Sequence, residues 1–436
     1  MKFYNREQEL AELRNIREKS LVNAQMTLMV GRRRIGKTSL LKKDTEENLS
    51  IYLFVARKSE ILLCEEFVET IKDKLQVSLF GQITKVKDLF AWIMELSESR
   101  SFTLIFDEFQ EFKTINPSIF SEIQHIWDSK KAKSKINLIF CGSIYSMMNQ
   151  IFENSKEPLF ARATSKINVK PFNVVTLKEI LGDNSPTFSS RDLLDFYTFS
   201  GGVAKYVESF VQNQAFTFEV VLKSIFSENS FFLEEGKNVL IDEFGKDYAT
   251  YFSILSLIAS SKTSRPEIES ILEMGIGGYL DRLENDFSII KKIKPIFAKI
   301  GSRQIKYEIT DNFLSFWFRF IYKNRSAIEI GNYHYVEDLV RRDYSTFSGK
   351  MLERYFIEKL KLSKQFSEIG TFWDKKNQNE IDIVAINEME KRVLFAEVKL
   401  NKAKINLTEL REKSQVLDRY LTGYSKEFLA LSLEDM

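Results

Sequence analysis

Eight residues near the amino end have the types and spacing needed to hold a polyphosphate. Residues 31–38 read GRRRIGKT, match the pattern GxxxxGK[ST], and lie between an apolar run and a predicted helix. Gly31 and Gly36 permit tight turns that aim amide N–H groups at phosphate, and the helix that follows adds the positive end of its dipole. Lys37 is expected to reach the β- and γ-phosphates, and the Thr38 hydroxyl to hold Mg²⁺. The predicted nucleotide contacts in this segment are Gly31, Arg34, Gly36, Lys37, Thr38 and Ser39.

A pair of acids downstream supplies what a phosphate loop needs for hydrolysis. The segment SFTLIFDEFQEF (101–112) is an apolar run that ends in Asp107 and Glu108. Asp107 is expected to bind Mg²⁺, and Glu108 to polarise the attacking water. The alternative is a strand that runs into a surface acid pair. The phosphate loop upstream favours the hydrolytic interpretation, because hydrolysis requires both a loop that binds the phosphates and acids that act on Mg²⁺ and water.

Two further residues are candidates for reporting on the nucleotide. Ser143 follows the predicted strand INLIFCGS (136–143) and is expected to sense the γ-phosphate. Arg162, in KEPLFARAT (156–164), precedes the last predicted strand and is a candidate arginine finger toward the nucleotide of a neighbouring subunit. A surface salt bridge is an equally good interpretation of Arg162.

The elements that position these residues alternate between strand and helix patterns. Five short apolar runs separated by helical patterns predict a parallel α/β sheet. At 436 residues the chain is too long for one typical core. We predict a P-loop core, a helical lid, a winged helix with an aromatic packing helix, and a carboxy-terminal α/β domain. Their predicted ranges are 1–175, 176–240, 241–325 and 326–436.

Several segments resemble the archaeal-type AAA+ ATPases of archaea and bacteria, which are related to the origin-recognition and STAND proteins. The segments that carry the resemblance are FYNREQEL (3–10), the phosphate loop, IFDEFQ, CGSIYSMM, PLFARAT and SGGVAKYVE (200–208). The resemblance implies ATP as the cofactor, Arg6 as a contact near the adenine, and a helical lid from about 175 to 235.

The segment 249–310 predicts a helix–turn–helix followed by a hairpin. SRPEIESILEM (264–274) begins with a potential capping box, formed by Ser264 and Glu267, and GIGGYLDRLENDFSI (275–289) predicts a second helix. The stretch 289–310 alternates apolar and basic residues around a Gly-Ser turn, which predicts a hairpin with one basic face. This arrangement suits duplex DNA.

The hairpin supplies the candidate phosphate contacts, which are Lys291, Lys292, Lys294, Lys299, Arg303 and Lys306. The alternative is that the hairpin only packs domains together. The predicted recognition helix is acidic, which argues against base-specific readout.

Near the carboxyl end, two predicted strands carry a second set of chemical groups. EIDIVAI (380–386) contains Asp382, and RVLFAEVKL (392–400) contains Glu397 and Lys399. Strand alternation places Glu397 and Lys399 on the face that Val393 and Phe395 begin. A charge there is partly covered, which is costly without a function. An ordinary solvated strand face is the alternative.

The order helix, three strands, helix, strand over 348–433 resembles the PD-(D/E)xK nuclease fold. The resemblance implies that Asp382 and Glu397 share one divalent metal, Mg²⁺ by preference, with Lys399 beside the attacking water. Glu353, on the preceding helix, is placed like the acid that this fold carries there.

The composition excludes several other classes of protein. Two cysteines and two histidines leave little for a disulfide framework or a His/Cys zinc site. No apolar run approaches a membrane span, so we expect a cytoplasmic protein. A net charge of +2 means that any nucleic-acid surface is local.

The sequence therefore predicts an ATP-hydrolysing protein that acts on DNA, is capable of oligomerising, has no membrane partner, and carries a Mg²⁺-dependent nuclease tail. The alternative is a nucleotide-dependent scaffold or DNA-binding switch whose tail does not cleave.

Overall fold

The computed structural model describes residues 2–299, 301–374 and 379–436. The described chain divides into two compact units. One unit is Asn5–Lys170, and the other is Pro171–Met436 together with the residues that precede Asn5.

The first unit alternates helices and strands, as predicted. Its helices are α1 (Glu7–Ser20), α2 (Lys37–Thr45), α3 (Glu60–Leu75), α4 (Val86–Ser99), α5 (Phe112–Ile115), α6 (Ile119–Lys130) and α7 (Tyr145–Glu153). Its strands are β1 (Gln25–Val30), β2 (Ser50–Phe54), β3 (Phe102–Asp107), β4 (Ile136–Cys141) and β5 (Ser165–Asn168).

The five strands form one parallel sheet in the order β2-β3-β4-β1-β5, which confirms the predicted α/β class. Strand β4 lies between β1, which leads into the phosphate loop, and β3, which ends in the acids. Because all five strands are parallel, their carboxyl ends share one edge of the sheet, where ligands bind in open α/β folds. Strands β3 and β4 are buried along their whole length, as expected for a sheet covered on both faces.

The second unit begins with helices and ends with a sheet. Its helices are α8 (Val174–Asn184), α9 (Ser190–Ser200), α10 (Ala204–Gln212), α11 (Phe218–Ile225), α12 (Phe232–Phe244), α13 (Tyr248–Ala259), α14 (Arg265–Leu272), α15 (Gly277–Asp281), α16 (Asn312–Phe316), α17 (Arg325–Glu329), α18 (Tyr333–Ser363) and α19 (Leu407–Ser414). Its strands are β6 (Ile290–Ile293), β7 (Lys306–Ile309), β8 (Glu368–Trp373), β9 (Glu380–Asn387), β10 (Arg392–Val398) and β11 (Ser425–Leu431).

The predicted helix–turn–helix and hairpin correspond to α14, α15 and the antiparallel pair β6–β7. The predicted second helix is short, because α15 gives way to a π-helical turn at Arg282–Asp286. The predicted hairpin includes Ile300, which lies outside the described residues. The predicted capping box was wrong: Ser264 occupies the N-cap position but its side chain makes no capping bond, and Glu267 pairs with Lys262 instead.

The connection between β6 and β7 packs on the carboxy-terminal sheet. Ile296 donates its backbone N–H to Thr371 O at 2.9 Å and belongs to the apolar core of that sheet. Phe297 stacks on Tyr420 with ring centroids 4.8 Å apart. The hairpin therefore joins two parts of this unit, as the domain-packing alternative expected.

The carboxy-terminal sheet has the order β11-β10-β9-β8 within the described residues. β8, β9 and β10 are antiparallel, and β11 pairs with β10 in parallel. Helix α18 is longer than the predicted helix over 348–361, since it begins at Tyr333. No helix among residues 2–299, 301–374 and 379–436 is long and apolar enough to cross a membrane.

Candidate functional site

The phosphate loop leaves β1 and turns into α2 at the carboxyl edge of the parallel sheet. Gly31 lies so close to the backbone that an added Cβ would be 2.7 Å from Val169 O, so no larger residue fits there. Gly36 has φ +95°, in the region that favours glycine, and precedes the first helical residue, Lys37. These two glycines fix the loop geometry that the motif predicted.

Lys37 lies beneath this loop. Its ammonium donates to Gly31 O at 2.5 Å and to Arg32 O at 3.0 Å. Burial is the largest influence and lowers the pKa of Lys37, while the negative charges of Glu108 and Asp107 oppose it. A desolvated cation attracts a polyphosphate more strongly than a solvated one. Arg34, Thr38 and Ser39 are exposed on the loop and the first turn of α2.

Asp107 is held in place by two hydrogen bonds, one to each of its carboxylate oxygens. Tyr52, on the edge strand β2, donates its hydroxyl hydrogen to Asp107 Oδ2, and Asp107 Oδ1 accepts the Glu108 N–H at 2.9 Å. Thr38 also hydrogen-bonds Tyr52, so the two predicted Mg²⁺ ligands, Thr38 and Asp107, meet at one tyrosine. Burial and the neighbouring carboxylate raise the pKa of Tyr52, which keeps its proton on the hydroxyl. Sequence reasoning missed Tyr52.

Glu108 directly follows β3, and its backbone is in the left-handed conformation with φ +55°. Its Oε2 accepts from Ser143 Oγ at 2.7 Å and from Gln110 Nε2 at 2.5 Å. Arg33 Nε donates to Ser143 Oγ at 3.3 Å, which connects the loop to the acid through one hydroxyl. Gln110 is fully buried and was not predicted. The structure thus brings Glu108 and Ser143 together, although they are far apart in the sequence.

Arg6 is buried beside the loop. Its guanidinium donates to Lys170 O at 2.8 Å and to Ile35 O at 3.4 Å, and it pairs with Glu9 at 3.1 Å. Arg6 therefore ties the start of α1 to the phosphate loop and to the end of the last parallel strand. Its predicted contact with the adenine stays a prediction.

Arg162 lies at the opposite edge of the sheet from the phosphate loop. It precedes β5, and nearby Thr164 bonds Met26 at the start of β1. Arg162 pairs with Asp128 at 3.2 Å and lines a cavity of about 520 Å³. A strand of six residues spans about 20 Å, so this guanidinium cannot reach the nucleotide of its own chain. The salt bridge expected as one alternative is present, and a finger role would have to be toward another subunit.

The second group of predicted residues meets on the carboxy-terminal sheet. Lys399 Nζ lies 2.9 Å from Glu397 Oε1 and 3.4 Å from Asp382 Oδ2. The same Asp382 oxygen accepts the Val398 N–H at 2.7 Å. The side chains of Asp382 and Glu397 are only 11% and 13% exposed. These acids are therefore not on a solvated strand face.

Glu353 reaches this group from α18. Burial and the charge of Asp382 raise the pKa of Glu353 to about 8, although Lys399 opposes them. Burial also raises the pKa of Asp382, against the Val398 N–H and Lys399. Hydrogen bonding to Glu397 and the two acid charges raise the pKa of Lys399 despite burial. We call these four residues, Glu353, Asp382, Glu397 and Lys399, the carboxylate–lysine cluster.

The carboxylate–lysine cluster fits a hard divalent ion in part. Glu397 Oε2 is buried and accepts no hydrogen bond from any described residue. Mg²⁺ prefers such oxygen ligands and commonly takes one or two carboxylates, with water in its other positions. No three Asp, Glu, His or Cys side chains converge as ligands within the described residues. Asp382 and Glu397 therefore supply two oxygen ligands of the kind that Mg²⁺ accepts, without a third among the described residues.

The fold and the loop geometry define a P-loop ATPase. Residues 3–210 match a family of ATPase domains found predominantly in archaea, and residues 317–414 match a family of archaeal and bacterial proteins of unknown function. The chain is an ATP-hydrolysing enzyme, as the sequence predicted.

The comparisons also identify relatives. The chain is 29% identical over 406 residues to the uncharacterized protein MJECL04 of Methanocaldococcus jannaschii, covering 91% of this chain and 87% of the relative. Its fold resembles the Walker-type ATPase paby2304 of Pyrococcus abyssi, with a TM-score of 0.55, 20% identity, and coverage of 72% of this chain and 96% of that one. A more distant likeness, with a TM-score of 0.48, 12% identity, and coverage of 76% and 96%, is to the ORC2 protein of Aeropyrum pernix in ADPNP-ADP complexes.

Proposed function

We propose that this ATPase acts on DNA, and that the carboxylate–lysine cluster of its second unit cleaves phosphodiester bonds. In the first unit, the loop amides and Lys37 bind the triphosphate, and Thr38 and Asp107 hold Mg²⁺. When bound, the ion neutralises charge on the phosphates. Tyr52 orients Asp107, because its hydroxyl donates to the carboxylate that faces Thr38.

Glu108 acts on the attacking water in this account. A carboxylate within hydrogen-bond reach of a water molecule accepts a proton from that water as it attacks. The same hydrogen bond orients the lone pair of the water toward phosphorus. Ser143 and Gln110 both donate to the same oxygen of Glu108, so they set its orientation. The hydrogen bond from Ser143 to Glu108 supports a role for Ser143 in coupling the γ-phosphate to the acid.

The carboxylate–lysine cluster carries the second part of the proposal. The observation that supports it is the convergence of Asp382, Glu397 and Lys399 with a buried, unpartnered carboxylate oxygen. Asp382 and Glu397 would hold Mg²⁺, which activates water and stabilises charge on phosphorus when bound. Lys399 places its ammonium beside both acids, where it stabilises the charge that develops on a phosphate oxygen. Glu353, with its raised pKa, is able to carry a proton at neutral pH.

The second candidate function is a nucleotide-dependent scaffold whose tail binds DNA without cutting it. One observation favours it: within the described residues no third ligand joins Asp382 and Glu397.

A cleavage assay separates the two functions. The full-length protein is incubated with supercoiled, linear and single-stranded DNA in Mg²⁺ or Mn²⁺, with and without ATP. The nuclease proposal predicts cleavage that Asp382→Ala and Lys399→Ala each abolish while ATP turnover continues. The matched controls are Glu388→Ala and Lys404→Ala, which replace exposed residues of the same domain. If the wild-type protein cuts none of these substrates, the scaffold function replaces the nuclease.

A further inference from the structure

A small cavity in the second unit has more cations than carboxylates in its lining. It has a volume of about 330 Å³ and lies between the end of α13, the aromatic segment after α16, and the first half of α18. Its lining contains three cations and one carboxylate, with hydroxyl and apolar groups between them. The charged residues and serines are Ser260, Ser261, Arg319, Lys323, Arg342 and Asp343. We call this cavity the basic pocket.

Arg319 is the central cation of the basic pocket. It is half-buried, and burial lowers its pKa against the opposing charge of Asp343. Its Nη1 donates to Ala259 O at 3.4 Å, and this is its one hydrogen bond to the described residues. A guanidinium has five N–H donors, so one helix carbonyl leaves most of the fork unused. The ring of Phe320 lies 5.5 Å from Arg319 Cζ and holds the side chain in place.

Two lysines extend the positive charge around Arg319. Lys323 is exposed and makes no ion pair within the described chain. Lys350 donates to Ser261 Oγ at 3.2 Å, and burial lowers its pKa. The single carboxylate, Asp343, already pairs with Arg342 at 2.8 Å. The pocket therefore has an excess of positive charge and of N–H and O–H donors, which is the environment that a phosphate group requires.

One face of α18 leads from the basic pocket to the carboxylate–lysine cluster. Asp343, Thr346, Lys350 and Glu353 follow one another at three- and four-residue spacing, so they lie on the same side of the helix. At 1.5 Å per residue, the distance along the axis from Arg342 to Glu353 is about 16 Å. Phosphates of one strand of duplex DNA advance about 3.4 Å each along the axis. A strand with one phosphate in the pocket would reach the cluster within about five nucleotides.

We propose that the basic pocket binds a backbone phosphate of the DNA that the carboxylate–lysine cluster acts on. Arg319 and Lys323 donate to the phosphate oxygens, the serine hydroxyls complete the donor set, and the strand continues along α18 toward Glu353. This inference depends on the proposed action on DNA and adds to it the place where the strand is held.

Salt-dependent DNA binding tests the proposal. Affinity of the full-length protein for a fluorescein-labelled 20-base-pair duplex is measured by fluorescence anisotropy in EDTA at several NaCl concentrations. Arg319→Gln and Lys323→Gln are each expected to weaken binding about three- to tenfold, and to reduce the slope of log K against log[NaCl] by about 0.9, the value for one lost phosphate contact. The control is Lys246→Gln, an exposed lysine beyond the opposite end of α13, which should behave like the wild type.

The outcomes distinguish the proposal from its alternatives. Lys323 is exposed, so Lys323→Gln tests the pocket even if Arg319→Gln fails to fold. If both variants fold and keep the wild-type affinity and slope, the pocket is not a DNA contact, whereas the proposed action on DNA stands. If the wild-type protein does not bind the duplex, the pocket's role as a DNA contact and the proposed action on DNA are both wrong. A second experiment measures the binding of inorganic phosphate by equilibrium dialysis. If these variants lose phosphate binding but keep DNA binding, the pocket binds a small phosphate ligand and the proposal is overturned.

Discussion

The two candidate sites of this protein are assembled in different ways. The phosphate site lies where parallel strands end together, and its central groups are a contiguous loop after β1 and an acid pair at the end of β3, two strands away in the sheet. The carboxylate–lysine cluster joins two antiparallel strands to an acid on a distant helix. In the first, backbone geometry dictates where the charges lie. In the second, the charges hold one another in place.

This difference affects how each site tolerates substitution. The amides and Lys37 bind the triphosphate while the acids act on water and Mg²⁺, so single variants of the acids in the first site should separate binding from turnover. In the carboxylate–lysine cluster, each charge is stabilised by its neighbours, so removing one group shifts the protonation of the others.

The largest effect is expected for Glu108→Gln. Loss of the carboxylate that polarises water should reduce ATP turnover by about 100- to 1,000-fold, because general-base contributions are of this size. ATP affinity should remain, since the amides and Lys37 are unchanged. Steady-state phosphate release and a nucleotide titration measure the two quantities. Glu98→Gln, an exposed acid of α4, is the control, and equal activity in the two variants would refute the assignment of Glu108.

A smaller effect is expected for Tyr52→Phe, which removes the hydroxyl that donates to Asp107. If Tyr52 orients the Mg²⁺ ligands, the Mg²⁺ concentration for half-maximal turnover should rise about three- to tenfold, since one charge-assisted hydrogen bond is lost. The Michaelis constant for ATP at saturating Mg²⁺ should change little. A purely structural tyrosine would lower stability without moving the Mg²⁺ midpoint. Tyr248→Phe, at a partly exposed site in the other unit, is the control.

A further prediction concerns the pH dependence of stability and the residue Glu353. Its folded-state pKa of about 8 exceeds its ordinary value of 4.5, so the folded protein binds a proton that the unfolded chain has released. The contribution of this group to the free energy of unfolding is fully present below pH 4.5. It is lost as the pH rises toward 8, at no more than about 1.4 kcal/mol per pH unit. Glu353→Gln cannot titrate there, so it should gain stability relative to the wild type across this range.

Urea unfolding in EDTA between pH 5 and 8 measures this difference. Glu390→Gln, an exposed acid of the same domain, should keep a constant difference from the wild type. A constant difference for Glu353→Gln as well would mean that Glu353 is not held protonated by Asp382 and burial.

The same contrast explains what the sequence could predict. The loop, the acid pair and the five parallel strands were found because each is a local pattern with a fixed backbone requirement. Tyr52 and Gln110 were missed because they reach Asp107 and Glu108 from an edge strand and a tight turn, and no spacing rule connects them. The capping pattern at Ser264 failed because Lys262 offered Glu267 a closer partner.

The second unit was harder to predict, because its important contacts are long-range. Alternation in β10 indicated a covered face for Glu397, yet residues on both faces of that strand are buried, so alternation alone did not specify the neighbours. The basic pocket joins three segments of the chain and has no sequence motif. The predicted hairpin is present, but half of its predicted basic phosphate contacts form ion pairs that periodicity did not reveal. These are Lys291, Lys292 and Lys306.

The central claim is that the loop after β1, with Lys37 beneath it, binds the triphosphate of ATP. Isothermal titration of the full-length protein and of Lys37→Ala with ATP and Mg²⁺ tests it most directly. Lys42→Ala, an exposed lysine on the same helix, is the control. One saturable ATP site is expected in the wild type and in the control, and no measurable ATP binding is expected in Lys37→Ala. Wild-type affinity retained by a folded Lys37→Ala would contradict it.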